Sequence, residues 1–446
     1  MIELDVDDLD HQGRGVGRHD GMVVLVEGAL PGERVRARVL HRARRHWVAC
    51  LQDILRASPH RRRPPCILAD HCGGCSLQSL DPTGQALWKE QRLAHTLRRL
   101  GGLDVTIRPL LAVPNDLGYR NRAVIPLQRD QAGRLRAGYY RRGSHRIVNM
   151  NRCPVLDARI DRLIAPLKAD LDASGWPADP QLGVLRHLAL RLGHGTGEVL
   201  ITLVATHAQL PNLAHLAESW MARWPEVVGV GVNLQPQPTN VLFGPETRVV
   251  AGRARLRERF AGLELEIAAD TFFQVNTPQA ERVVPLLLEA LPDPPGELID
   301  AYCGIGTLSL PLAQQGWTVR GLEVHPGAVD LACANARRLG PEHRARFSVG
   351  DVAGLLADAL AAQGGQGCLL LDPPRRGLHR SVVDAIRSTP PQTLLYLSCD
   401  PATLSRDLAL LCAEQRFEPA WVQPIDFFPA TSHVEALAVL NCAARP

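Results

Sequence analysis

From about residue 262 onward, this 446-residue chain repeats short apolar runs between segments of helical spacing: "GELIDAYCGIG", "TVRGLEVH", "RFSVGD", "CLLLDPP", "TLLYLSCD" and a final "VEALAVL". Strands that recur with helices between them join one sheet through crossover connections. The rhythm therefore predicts an α/β domain, a mostly parallel sheet with helices on both faces. Ligands and reacting side chains then belong at the carboxyl ends of the strands.

The rest of the chain follows a different pattern. Residues 1–57 alternate apolar runs with glycine turns, as in "GRGVGRHDGMVVLVEGALPGERVRARVL", which predicts a small all-β barrel. "ASPHRRRPPC" reads as a linker, and residues 84–100, "GQALWKEQRLAHTLRRL", have helical spacing. Residues 115–260 mix helices with strand-like runs such as "GEVLITLVAT". Three domains are expected, over 1–57, 58–261 and 262–446, with the central one α+β and the helix near 84–100 available to pack on the last. A chain this long exceeds one ordinary core.

Bulk properties narrow the setting. No apolar run approaches a membrane span, and the acidic start "MIELDVDDLD" lacks the basic and apolar regions of a secretory signal. Eleven cysteines, an odd number, favour reduced thiols over a disulfide framework. The expectation is a cytoplasmic monomer with no membrane partner. Net charge is only +4, yet ten arginines and one acid, Asp53, lie between Arg34 and Arg63. Few aromatics accompany them, which favours contact with a phosphate backbone over base stacking.

Several strand ends carry chemistry. Asp300 closes an apolar run, and Gly304 and Gly306 follow in a turn where a ligand can approach the backbone. Serine at 309 denies the third glycine of a dinucleotide fingerprint. Glu323, at the next strand end, suits ribose hydroxyls, and with Asp351 it favours an adenosine-type ligand. Asp372 precedes Pro373 and Pro374, a stiff turn that ends its strand. Cys399 lies one strand further on, before a helix whose amides, together with Arg406, are expected to lower its pKa; it is a core filler or a nucleophile. His433 and Glu435 open the last strand, which brings them to the same edge if it runs antiparallel. Glu435 is the better general base, because a carboxylate in an apolar strand has a raised pKa.

A second group is Cys66, Cys72 and Cys75 in "CILADHCGGCSLQ", with Cys153 as a fourth. Thiols so spaced predict a metal site, and both zinc and an iron-sulfur cluster accept four thiolates.

Together these residues resemble the RNA uracil-5-methyltransferase family, over nearly the whole chain and most closely the type that acts on 23S ribosomal RNA. "GRGVGR" and "ALPGE" are similar to a TRAM domain, an OB-like RNA-binding barrel. The resemblance implies that Cys66, Cys72, Cys75 and Cys153 hold a 4Fe-4S cluster in the central domain. It implies a Rossmann-like S-adenosylmethionine-dependent methyltransferase domain at the carboxyl end. "FFQVNT" and "DAYCGIGT" place Gln274, Tyr302 and Thr307 on the cofactor, with Glu323, Asp351 and Asp372; the family often has phenylalanine and asparagine at 302 and 307. "SCDPATLSRDL" carries the nucleophile, Cys399, and "HVE" the base, Glu435. The implied reaction is addition of Cys399 to uracil C6, methylation at C5, and proton removal by Glu435 on a uridine flipped from its stack.

Two alternatives compete. Transfer RNA uracil-5-methyltransferases share the chemistry, but the resemblance implies that they lack the barrel and the cysteine group, which favours 23S ribosomal RNA. A non-catalytic iron-sulfur RNA-binding protein on a methyltransferase fold would have lost the cysteine or the base, and both are present.

Overall fold

The computed structural model of the protein describes residues 1–443. Strands β1 (Ile2–Leu9), β2 (Gly15–His19), β3 (Met22–Glu27), β4 (Arg34–Arg42) and β5 (Trp47–Arg56) close into a barrel, ordered β1-β2-β3-β5-β4. Alternation builds it: Ile2, Leu4 and Val6 turn inward onto Val24, Val26, Val35 and Ala49. Gly17 is required because a Cβ there would lie 2.2 Å from the Asp5 carbonyl oxygen. The outward Glu3 and Asp5 pair with Arg34, Arg36 and Arg56, while Arg61 pairs with Glu33 and Arg62 with Asp116. Part of the arginine-rich stretch therefore stabilises the barrel itself. Arg38, Arg42, Arg44 and Arg45, around the β4–β5 turn, make no ion pair among the described residues.

The cysteine loop then leads into α1 (Pro82–Gly101), capped by Asp81, whose side chain accepts the Gly84 N–H at 2.7 Å. A six-stranded sheet follows, ordered β11-β10-β9-β8-β6-β7. Its strands are β6 (Arg122–Arg129), β7 (Leu135–Ala137), β8 (Leu185–Leu192), β9 (Val199–Ala205), β10 (Val227–Leu234) and β11 (Glu246–Gly252), with α2 (Ala158–Ala173) and α3 (Leu213–Arg223) packed on them. A hairpin of β12 (Arg255–Phe260) and β13 (Leu263–Ala268) leads out, to α4 (Thr277–Glu281) and α5 (Val283–Ala290).

The predicted α/β region forms a seven-stranded sheet, ordered β16-β15-β14-β17-β18-β20-β19. In chain order it comprises β14 (Glu297–Ala301), α6 (Ser309–Gln314), β15 (Thr318–Glu323), α7 (Pro326–Leu339), β16 (Ala345–Val349), α8 (Val352–Gln363), β17 (Cys368–Leu371), α9 (Arg380–Ser388), β18 (Thr393–Ser398), α10 (Pro401–Leu411), β19 (Phe417–Ile425) and β20 (Glu435–Cys442). The pairs among β14 to β18 are parallel, and β20 runs antiparallel to both β18 and β19. The order reverses between β14 and β17, where such sheets open a crevice. α1 packs on this domain: Leu93 and Leu97 share a core with Leu404, Leu408 and Leu411, and Ser405 Oγ donates to Thr96 O at 3.1 Å. Among the described residues, no helix is long and apolar enough to cross a membrane.

Candidate active site

The crevice at the switch point is shaped by the turn after β14. Gly304 and Gly306 adopt φ of 55° and 81°, and Tyr302 between β14 and Gly304 is held at 70°, a conformation that costs a side-chain-bearing residue energy. A Cβ on Gly304 would meet nothing within 4 Å, so the turn offers open space to a ligand there. At Gly306 a Cβ would press on Phe347 and Leu310, which makes that glycine a packing requirement. Gln274, Tyr302, Thr307 and Asp372 line the resulting cleft with Gly304 and Leu397. Asn121 Nδ2 pins the Gln274 carbonyl at 2.9 Å.

Glu323 and Asp351 stand at the outer side of this turn. The Glu323 carboxylate accepts the N–H groups of Gly304 at 3.1 Å and His325 at 2.8 Å. Asp351 caps α8 through the Ala353 N–H, and the neighbouring Gly350 N–H donates to Glu323 O at 2.9 Å. Asp351 is exposed, yet its charge joins burial in pushing the Tyr302 phenol up to about 12. Six residues singled out in the sequence thus surround one turn, four inside the cleft and two outside it.

Cys399 follows β18 directly, and Glu435 begins β20. The register Ser398↔Ala436 brings them to the same edge, as expected of an antiparallel last strand. Electrostatics there differ from the sequence expectation. The Cys399 thiol is pushed up to about 11, by burial first and then by the charges of Glu435 and Asp372, with Arg375 pulling the other way. The amides expected to lower it belong to Asp400, which accepts both Ala402 and Thr403 N–H at 2.9 Å. Arg406 is likewise engaged, with Asp407 and the Arg376 carbonyl. Burial holds the Glu435 carboxyl well above the usual range, Asp372 adding to the effect. Burial also pushes Asp372 and Asp300 up to about 7; Asp300 accepts from Ser309 Oγ at 2.5 Å. Arg375, the opposing cation, was not singled out in the sequence; its signal was the pair of arginines directly after the two prolines.

The four loop cysteines approach one another without forming a metal cage. Burial raises the thiols of Cys72, Cys75 and Cys153, the last to about 12, and neighbouring cysteines add to each shift. Among the described residues, no group of three or more His, Cys, Asp or Glu side chains is arranged to hold a metal ion. Local hydrogen bonds orient two of the sulfurs: Cys66 accepts the Leu68 N–H and Cys72 the Gly74 N–H, both at 3.4 Å.

Comparison with known proteins decides the family. Residues 1–45 match the TRAM domain, and residues 361–442 match the tRNA (Uracil-5-)-methyltransferase family. Proteins described as uncharacterized RNA methyltransferases are 52% identical in Parasynechococcus marenigrum, over 99% of this chain and 95% of theirs, and 43% identical in Nostoc sp., over 99% and 96%. The chain belongs to the RNA uracil-5-methyltransferase family. Among solved structures, the Pyrococcus abyssi tRNA (uracil-54, C5)-methyltransferase, in complex with S-adenosyl-L-homocysteine, matches with a TM-score of 0.77 and 25% identity. That match covers 98% of this chain and 100% of the Pyrococcus chain. It corrects one step of the sequence argument. A transfer RNA enzyme shares this architecture from end to end, so the barrel does not by itself separate ribosomal from transfer RNA.

Proposed function

We propose that the protein methylates C5 of a uridine in folded RNA, taking the methyl group from S-adenosylmethionine and passing through a covalent adduct on Cys399. The observation that carries this reading is the placement of Cys399, directly after β18, and Glu435, at the start of the antiparallel β20, at one sheet edge next to the cleft of the glycine turn. The cleft suits the cofactor: an open Gly304 face, polar groups at Gln274, Tyr302 and Thr307, and Glu323 beside the turn for ribose hydroxyls. Asp351 and Asp372 complete the proposed cofactor set. S-adenosylmethionine supplies an electrophilic methyl group on a sulfonium.

Uracil C5 is a poor nucleophile, and the residues of this edge remedy that. The Cys399 thiol gives its proton to solvent, the thiolate adds to C6, and the electron pair of the C5=C6 bond moves into an enolate that attacks the methyl group from C5. A Glu435 carboxylate then takes the C5 proton, the C5=C6 double bond re-forms, and the C6–S bond breaks to release the thiolate. Glu435 must give up the proton that burial and Asp372 favour before it acts as the base, and Arg375 pulls in that direction.

For substrate, 23S ribosomal RNA is proposed from the four-cysteine resemblance. Transfer RNA is the second reading, favoured by the Pyrococcus match. A 4Fe-4S cluster on Cys66, Cys72, Cys75 and Cys153, with a structural or RNA-contacting role, is proposed from the four-cysteine resemblance; equal iron and sulfide in anaerobically purified protein tests it. The test of function is tritium release from RNA carrying [5-³H]uridine, with and without S-adenosylmethionine. Cofactor-dependent release from unmodified 23S ribosomal RNA alone supports the full reading. Release from transfer RNA alone keeps the chemistry and changes the substrate, and release from neither refutes the reading in favour of a non-catalytic RNA-binding protein.

A further inference from the structure

Between β19 and β20 the chain runs through a nine-residue strap, Asp426–Val434, that delivers His433 and Glu435 to the reaction edge. It has no secondary structure of its own to fix its course, and Ala430 within it is held at φ 61°. A left-handed alanine persists only where neighbours over-determine it. Here both its backbone groups are taken, by two different elements. Gln85 Oε1 accepts the Ala430 N–H at 2.7 Å, and the Leu77 N–H donates to Ala430 O at 2.9 Å.

The same two elements hold the strap on either side. From α1, Lys89 Nζ donates to Asp426 Oδ1 at 2.7 Å and to Phe428 O at 3.0 Å, and Arg92 donates to Ser432 O. Lys89 is fully buried, a position that a lysine occupies only with a charge partner and acceptors in place. From the cysteine loop, Ser76 Oγ accepts the Ser432 N–H at 2.9 Å. From the barrel, the His11 carbonyl accepts Ser432 Oγ at 2.7 Å. Positions 85, 89 and 92 follow the three-and-four spacing of one helix face. That face points at the strap.

We propose that Gln85, Lys89 and Arg92, with Ser76 of the cysteine loop, are positioning residues that hold the strap so that Glu435 meets uracil C5, giving the RNA-binding half control of proton removal. The inference rests on the proposed role of Glu435. Cys399 is not on the strap, and Phe427, the strap residue that lines the cleft, is held at its carbonyl by Asn276 Nδ2 and makes none of the clamp's hydrogen bonds, so thiol addition and cofactor binding do not depend on the clamp. Its loss should slow the last step of the cycle and leave the earlier ones.

The experiment compares Lys89→Met and Ser76→Ala with wild type and Glu435→Gln, following the covalent protein–RNA adduct on denaturing gels during turnover. With the clamp broken, kcat falls about tenfold or more and adduct accumulates in the steady state. KM for RNA and the dissociation constant of S-adenosylmethionine stay within about twofold. Ser76→Ala, a small change in a half-buried loop, keeps the test decisive if Lys89→Met does not fold. Adduct accumulation in Glu435→Gln but in neither clamp variant overturns the strap proposal alone, as does a fall in kcat in which adduct formation slows equally. No accumulation in Glu435→Gln overturns the role of Glu435, and the strap proposal with it.

Discussion

Cys399 rests as a thiol, because a buried sulfur facing two carboxylates is a poor place for another negative charge. With the thiol pushed up to about 11, alkylation by iodoacetamide should be slow at pH 7 and accelerate steadily through pH 9 to 10. Asp372→Asn removes one opposing charge and should raise the rate at pH 8 to 9 severalfold; an unchanged rate contradicts the assigned cause. Cys399→Ala should lower turnover by about 10³-fold or more while S-adenosylmethionine binding stays within about twofold by calorimetry. Asp300 yields a stability prediction. Its folded-state pKa of about 7 lies above the unfolded carboxylate value of about 3.9, so the native state binds more protons between those limits and loses stability as pH rises through them. Asp300→Asn removes that loss, and urea unfolding at pH 8 should find the variant more stable by about 2 to 4 kcal/mol. At this scale the sequence was legible in residue type and strand position, which brought Cys399, Glu435 and Asp372 to notice, whereas Gln274, Tyr302 and Thr307 came from the family resemblance alone. It was not legible in charge. Which amides Asp400 takes, and which arginine faces the thiol, depends on side-chain directions that no spacing encodes.

Elements were legible wherever one period dominated. β14, β17 and β18 announced themselves as short apolar runs, and α1 by its helical spacing. β19 did not, because Pro419 and Pro424 read as breakers. They are tolerated because β19 ends the sheet and bulges between Pro419 and Trp421, and an extended segment covers its outer side through Arg108 N–H to Val422 O and Leu111 N–H to Pro424 O, both 2.9 Å. The arginine-rich stretch divides in two. Arg34, Arg36, Arg56, Arg61 and Arg62 are ion-paired within the fold, whereas Arg44 and Arg45 at the β4–β5 turn are available to phosphate. Replacing Arg44 and Arg45 together by alanine should weaken RNA binding about tenfold at moderate salt and flatten the salt dependence by about one to two phosphate contacts. Turnover at saturating RNA should not change. The reverse pattern, normal affinity with slow turnover, would remove this turn from the RNA interface.

Across the molecule, the barrel, the cysteine loop and α1 all touch the strap that leads to Glu435, so the amino-terminal elements and the α/β domain meet at the proposed reaction edge. The sequence displayed the separate parts, since barrel turns, clustered thiols and the βα rhythm are local patterns. It did not display their contact, because partners such as Lys89 and Asp426 lie far apart along the chain and only the fold joins them. Covalent catalysis is the claim on which the functional account turns, and 5-fluorouridine tests it most directly, because fluorine at C5 leaves no proton for Glu435 to remove. RNA carrying 5-fluorouridine, incubated with the protein and S-adenosylmethionine, should give a protein–RNA complex that survives denaturation, with the methylated nucleotide mapped by mass spectrometry to the peptide containing Cys399. Wild-type protein that methylates RNA without forming this complex, or a Cys399→Ala variant that still forms it, would contradict the account.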